Sequence, residues 1–245
     1  MAHYISGTPL WVIIFFIGSF LISIAVIANT AKQIALGSGM TIGNSKNIWS
    51  GVFIFFVIWL TYASALSLNG ILSVNSLPPR AVLFNAGPLL IILFLVIGNT
   101  GLYKRLLRAA PLESLIRLHV FRVVGVFFLV IYFYHLMPAR FAFSAGMGDI
   151  VTALLAIPVA KAIAQKKSWS IKAAYAWNFL GLLDIVTAVV LAVVTARADM
   201  ATGAHGDQEM TLFPFVWFPA FAPATILFLH AGIFSKLRQL KQQQI

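Results

Sequence analysis

The 245-residue chain contains no cysteine. Disulfides, zinc–thiolate sites, iron–sulfur clusters and cysteine nucleophiles are therefore excluded. Charge is scarce as well. Only 9% of the residues are charged and 61% are hydrophobic, against about 25% and roughly 45–50% in an ordinary soluble domain. Acidic residues number six. With a mean hydropathy of +0.96, a soluble globular domain, a disordered chain and a coiled coil are all ruled out. Catalytic signatures are missing too: there is no HExxH, no histidine box, no GxSxG and no Walker A. The last apolar segment carries no lysine before Lys236, so the Schiff-base position of a retinal protein is empty. No polar stretch is long enough to form a cytoplasmic domain.

What is present is apolar sequence in long runs. A helix needs about 20 apolar residues to cross the hydrocarbon core. Seven segments qualify, at about 10–30, 49–72, 83–103, 117–137, 148–165, 171–196 and 212–236. The expected fold is all-α, a single polytopic seven-helix domain over residues 1–245. No Lys or Arg precedes Leu10, and the apolar run to Ala28 exceeds the roughly 7–15 residues of a signal-peptide core. The first segment is therefore read as a retained membrane helix.

The formal net charge of +11 describes topology rather than nucleic-acid binding, because Lys and Arg collect in cytoplasmic loops. The odd-numbered loops and the tail hold thirteen positive residues and the even-numbered loops three, with Arg122 alone inside a span. The N-terminus is expected outside and the C-terminus in the cytoplasm. Asp199, Asp207 and Glu209 fall in the sixth loop, which agrees. Trp11, Trp49, Trp169 and Trp217 sit near segment ends, where amphipathic rings favour headgroups. The tail from Lys236 is expected to be loosely ordered. His3 and His205 lie outside the bilayer.

Ionisable residues within the apolar segments mark candidate function, because they are costly there. They are His119, Arg122, His135, Asp149, Asp184 and His230. Asp184 lies 12 residues from Lys172 and 13 from Arg197, about 18 Å from each end and so at the midplane. Trp177, Gly181, Asp184 and Ala188 share a helical face, and Asn178 lies on the same helix. Asp184 reads as a proton, cation or ligand site, or as a carboxyl that only holds helices together. Arg122 either snorkels to the cytoplasmic headgroups or turns inward to pair with Asp184 or an anionic ligand. His119, Arg122 and Gly125 form a polar stripe at i, i+3 and i+6. His119 and His230, at similar depth on different helices, also admit a bis-histidine haem reading. Asp149 is expected to cap the start of the fifth helix and to face an external vestibule.

Two similarities complete the reading. The third segment has Pro88 followed by Ile92-Leu93-Phe94-Leu95 and a basic stop. The seventh has Pro223 followed by Ile226-Leu227-Phe228-Leu229 and a basic stop. This suggests parallel repeats of three helices around an inverting fourth, an architecture like that of SWEET-type transporters, none of whose substrate residues is present. The strings Pro138-Ala139-Arg140-Phe141-Ala142, Ala145-Gly146-Met147-Gly148-Asp149, Trp177-Asn178-Phe179-Leu180-Gly181-Leu182-Leu183-Asp184 and Leu229-His230 resemble a group of uncharacterised bacterial heptahelical membrane proteins. The resemblance covers Leu118 to Leu240. It implies a bacterial inner membrane location and carries no activity, ligand or cofactor.

The sequence thus predicts a non-enzymatic membrane protein that binds or translocates a small solute or proton. Asp184 is its centre and Arg122 the partner. Asn178 belongs to the same ligand or proton pathway, His119 and His230 line the cytoplasmic mouth, and Asp149 lies at the outer mouth. No cofactor is required. The alternatives are a haem b or quinone redox protein using His119 and His230, and a structural or receptor subunit. The lipid bilayer is the expected partner, with a homo-oligomer possible and nucleic acid excluded.

Overall fold

In a computed structural model, residues 5–74, 76–202 and 208–242 are described; His3, Gly203, His205 and Asp207 lie outside them. Among the described residues the chain is helical. The helices are α1 (Leu10–Gly37), α2 (Ile42–Leu68), α3 (Val82–Asn99), the short α4 (Gly101–Ala109), α5 (Leu112–Phe133), α6 (Ala139–Ala164), α7 (Ser170–Thr202) and α8 (Trp217–Gln242). All but α4 are long and apolar enough to cross a membrane.

Local chemistry sets the ends, and several differ from the apolar-run boundaries. Helix α2 begins at Ile42 rather than 49, because the Thr41 side chain accepts from the Asn44 N–H at 3.2 Å and caps the helix there. Helix α3 stops at Asn99 rather than 103. Thr100 leaves the helical region and caps α4, accepting from the Tyr103 N–H at 3.1 Å. Helix α6 starts at Ala139, directly after Pro138, nine residues before the expected start. Asp149 is therefore not a cap but an interior residue eleven positions along. Gly146 and Gly148 lie within the same helix. Helix α8 begins five residues late, since Gln208–Thr211 forms a separate 3-10 turn and Pro214 precedes the helix. It also runs through Gln242, so most of the tail expected to be loose is helix. There Lys236 donates to the Arg108 carbonyl at 2.6 Å.

Helices α5 and α8 are central. In the most apolar window of α5, 56% of the residues are buried, against 11% in α7. One half of the core is aromatic. Phe16 and Phe20 of α1 meet Phe127 of α5 and Phe215, Trp217, Phe218 and Phe221 at ring separations of 4.7–6.3 Å. Trp217 is thus a core residue rather than a headgroup anchor, and its indole N–H donates to the Ser64 hydroxyl at 2.8 Å. Trp59 ties α2 to the Ala220 carbonyl at 2.9 Å. Exposed Phe15, Phe179, Leu183 and Val190 supply the apolar exterior that lipid requires.

Helix α5 changes winding midway. His119–Gly125 is a 3-10 segment between two α-helical stretches. With three residues per turn, i, i+3 and i+6 stand in one file. The stripe of His119, Arg122 and Gly125 is therefore aligned more strictly than an α-helix would allow, and it faces α6.

Candidate functional site: one arginine between two carboxylates

Arg122 turns inward and is 1% exposed; it does not snorkel. Its Nε donates to Asp149 Oδ1 of α6 at 2.7 Å. Its Nη2 donates to Asp184 Oδ2 of α7. Its Nη1 donates to the Gly181 carbonyl at 3.2 Å and lies 3.2 Å from His230 Nε2 of α8. Four helices thus converge on one guanidinium, and four of its five N–H donors have acceptors. Such a buried charge is tolerated only when paired and hydrogen-bonded in this way.

The arrangement fixes the histidine tautomer. Arginine can only donate, so His230 Nε2 accepts and its proton sits on Nδ1. Nδ1 then donates to Asn178 Oδ1 at 2.7 Å. The Asn178 amide donates in turn to the His230 carbonyl at 3.2 Å, which closes the loop. His230 is neutral in this network, and Asn178 is its orienting partner.

Glycines make the approach possible. A Cβ on Gly148 would fall on the Asp184 carboxylate, and one on Gly125 would fall on Asp149. At Gly181 it would stand 2.6 Å from the His230 ring, and at Gly146 3.0 Å from the Gly125 carbonyl. Small residues at helix crossings let backbones close up in a membrane. Here they bring α5, α6 and α7 near enough for short side chains to reach a shared cation. Gly146 and Gly148 had been visible as a Gly-x-Gly pair beside an intramembrane Asp, which was the available signal.

The two carboxylates open toward one side. Both line a cavity of about 230 Å³ between α3, α5, α6, α7 and α8, and their side chains are 11% and 14% exposed. Its remaining wall is apolar, with Phe128, Phe141, Phe218 and Ala188 among the lining residues. A second void of about 10 Å³, the size of one water, lies beside Arg122, Asp149 and Ser23. Among the described residues no hydrogen bond reaches Asp149 Oδ2 or Asp184 Oδ1.

The opposite side is packed. His119 and Asn178 are fully buried, Trp177 is 3% exposed, and Trp177 donates to the Thr152 carbonyl at 3.0 Å. Neither ring nitrogen of His119 has a partner among the described residues. Its ring lies 4.2 Å from that of His230 and 5.1 Å from that of Trp177. The two rings are not spaced as the axial pair of a bis-histidine haem. Two axial imidazoles must sandwich a porphyrin, whereas these rings touch each other and both nitrogens of His230 are engaged. His135 stands apart, exposed in a turn after α5 with φ +58°.

The fold and site therefore define a polytopic helical membrane protein with a buried ion-pair cluster. The family described as a domain of unknown function (DUF8737) matches residues 78–238, and the chain belongs to that family. The match runs from α3 into α8 and contains every member of the Arg122 cluster, leaving α1 and α2 outside. No curated protein and no solved structure matches the chain.

Proposed function

We propose that this protein is a non-enzymatic transporter of the bacterial inner membrane, passing a proton or small solute through the Arg122 cluster. The observation that carries the reading is the shared guanidinium: one positive group stands between two carboxylates at the floor of a cavity. With both carboxylates ionised, the cluster carries a net charge of −1. An uncompensated charge in a bilayer is expensive, so the site calls for one further positive charge, a proton or a cation. The thirteen-to-three loop asymmetry orients the N-terminus outside and the C-terminus in the cytoplasm. On that orientation the cavity faces the exterior, and His230 and His119 are the next groups inward. Histidine suits a relay because one ring nitrogen can take up a proton while the other gives one away. The opening and closing halves would be the parallel three-helix repeats on either side of α5.

The test uses purified protein in vesicles that enclose a pH-reporting dye, with a potassium diffusion potential to drive proton entry. Wild type should acidify the lumen faster than empty vesicles, and Asp184→Asn should return the rate to that of empty vesicles. Wild-type flux no greater than in empty vesicles, or undiminished flux in a folded Asp184→Asn variant, would assign the cluster to a structural or receptor role.

A further inference from the structure

We infer that the outward cavity binds a small organic monocation, a protonated or quaternary amine on an apolar body, in exchange for one proton. This deepens the transport reading and rests on it. Three features of the cavity converge. Its floor is negative, because Arg122 can balance only one of Asp149 and Asp184. An anionic ligand is therefore excluded, Arg122 being already committed to both carboxylates. The wall beside that floor is aromatic. Phe128 stacks on Phe218 with ring centroids 4.0 Å apart and meets Phe141 edge-on at 5.8 Å, and all three line the same cavity. Aromatic rings beside a carboxylate favour an ammonium group over an inorganic ion, through cation–π attraction and burial of its methyl or methylene groups. Finally, the cavity is small. Its volume of about 230 Å³ lies below the roughly 300–1,000 Å³ of drug-sized sites, which limits the ligand to about one ring with an ammonium head.

The exchange balances in charge. A proton held on a carboxyl oxygen leaves through the cavity, the carboxylate takes the ammonium ion, and the net charge of the cluster plus occupant stays at zero. A proton and the cation thus compete for one site. The hydrated exterior of an inorganic cation would gain little from the apolar wall, and a neutral body of the same shape would leave the negative charge uncompensated.

The experiment is calorimetric titration of the purified protein in detergent with benzyltrimethylammonium, and with neopentylbenzene, its neutral isostere. Wild type should bind the cation and not the isostere. Its apparent Kd should rise about tenfold per pH unit on the acid side, the signature of one proton exchanged per ligand, with a matching proton release in buffers of different ionisation heat. Asp184→Asn should weaken binding at least about tenfold. Ala188→Phe, which fills the cavity and keeps both carboxylates, should abolish it. That second variant keeps the question decidable if Asp184→Asn fails to fold. Equal binding of cation and isostere, or binding indifferent to both variants, overturns the inference. No cation binding by a wild type whose proton flux still depends on Asp184 also overturns it, while leaving the transport reading intact. Cation binding that depends on Asp184 without any flux supports the ligand class and sinks transport.

Discussion

The two sides of Arg122 differ in packing although the same side chain serves both. Toward α3 and the 208–216 segment, Asp149 and Asp184 meet a cavity of about 230 Å³. In the other direction His230, His119, Asn178 and Trp177 fill the space between α5, α7 and α8 and are almost wholly buried. The open side is built from charge that is one unit short of balance. The closed side is built from neutral groups, with His230 satisfied at both nitrogens and His119 at neither. A helical bundle can thus hold an ion pair that is accessible from one face only. The glycines that allow it, Gly125, Gly146, Gly148 and Gly181, all lie at the level of the pair.

Removing the cation should break both sides at once. Arg122→Met leaves two buried carboxylates facing each other and His230 without its donor. Loss of one partner from a buried pair costs about 3–5 kcal/mol, and the variant should show the largest fall in unfolding free energy in detergent, or fail to yield folded protein. Gly148→Ala strikes the open side alone. Its methyl group displaces the Asp184 carboxylate, and overpacking of this kind costs about 1–3 kcal/mol. A thermal melt should report the loss, and Gly37→Ala, where nothing lies within 4 Å of the added Cβ, should not reproduce it. His119→Leu strikes the closed side. Because His119 makes no hydrogen bond among the described residues, its stability should change by less than about 1 kcal/mol. Proton flux should nevertheless fall if the ring is part of the inward route. Undiminished flux would mark His119 as packing only.

The smallest effect concerns the rim of the open side. The Ser6 N–H donates to the Phe213 carbonyl at 2.8 Å, which pins the residues before α1 to the segment that carries Glu209. Burial pushes the Glu209 carboxyl up from its ordinary range, and its Oε1 has no partner among the described residues. The folded chain therefore holds that proton more tightly than the unfolded chain. The associated stability is present at acid pH and is lost as pH rises through the folded value. Glu209→Gln should flatten this part of the pH–stability curve by under about 1 kcal/mol, measured as the change in melting temperature between acidic and neutral buffer.

Much of this was legible in the sequence, for reasons that can be named. Apolar runs separated by charged or Pro-rich loops give seven spans, because hydrocarbon admits few alternatives. Asp184 and Arg122 stood out because ionisable groups in such runs are rare. Their pairing was one of two open readings, since helix tilt and the path of a long side chain are set by tertiary packing. Helix ends were misplaced where a cap or a proline, not hydrophobicity, sets them, as at Thr41 and Pro138. That misplacement hid Asp149 as a supposed cap. The second carboxylate on Arg122 became visible only when α6 extended nine residues toward its N-terminus. The 3-10 segment that files His119, Arg122 and Gly125 has no sequence signature of its own. The aromatic trio of Phe128, Phe141 and Phe218 comes from three helices and is assembled by the fold.

The central claim is that one arginine balances two carboxylates and leaves the site a single charge short. It is tested most directly by the unfolding free energies of Asp149→Asn, Asp184→Asn and the double variant in the same detergent. Either single change leaves Arg122 one carboxylate and a neutral cluster, so each should lose no more than about 1 kcal/mol. The double change strands a buried guanidinium and should lose about 3–5 kcal/mol, well beyond the sum of the singles. Losses that simply add, or a single variant as unstable as the double, would contradict the charge count on which the account stands.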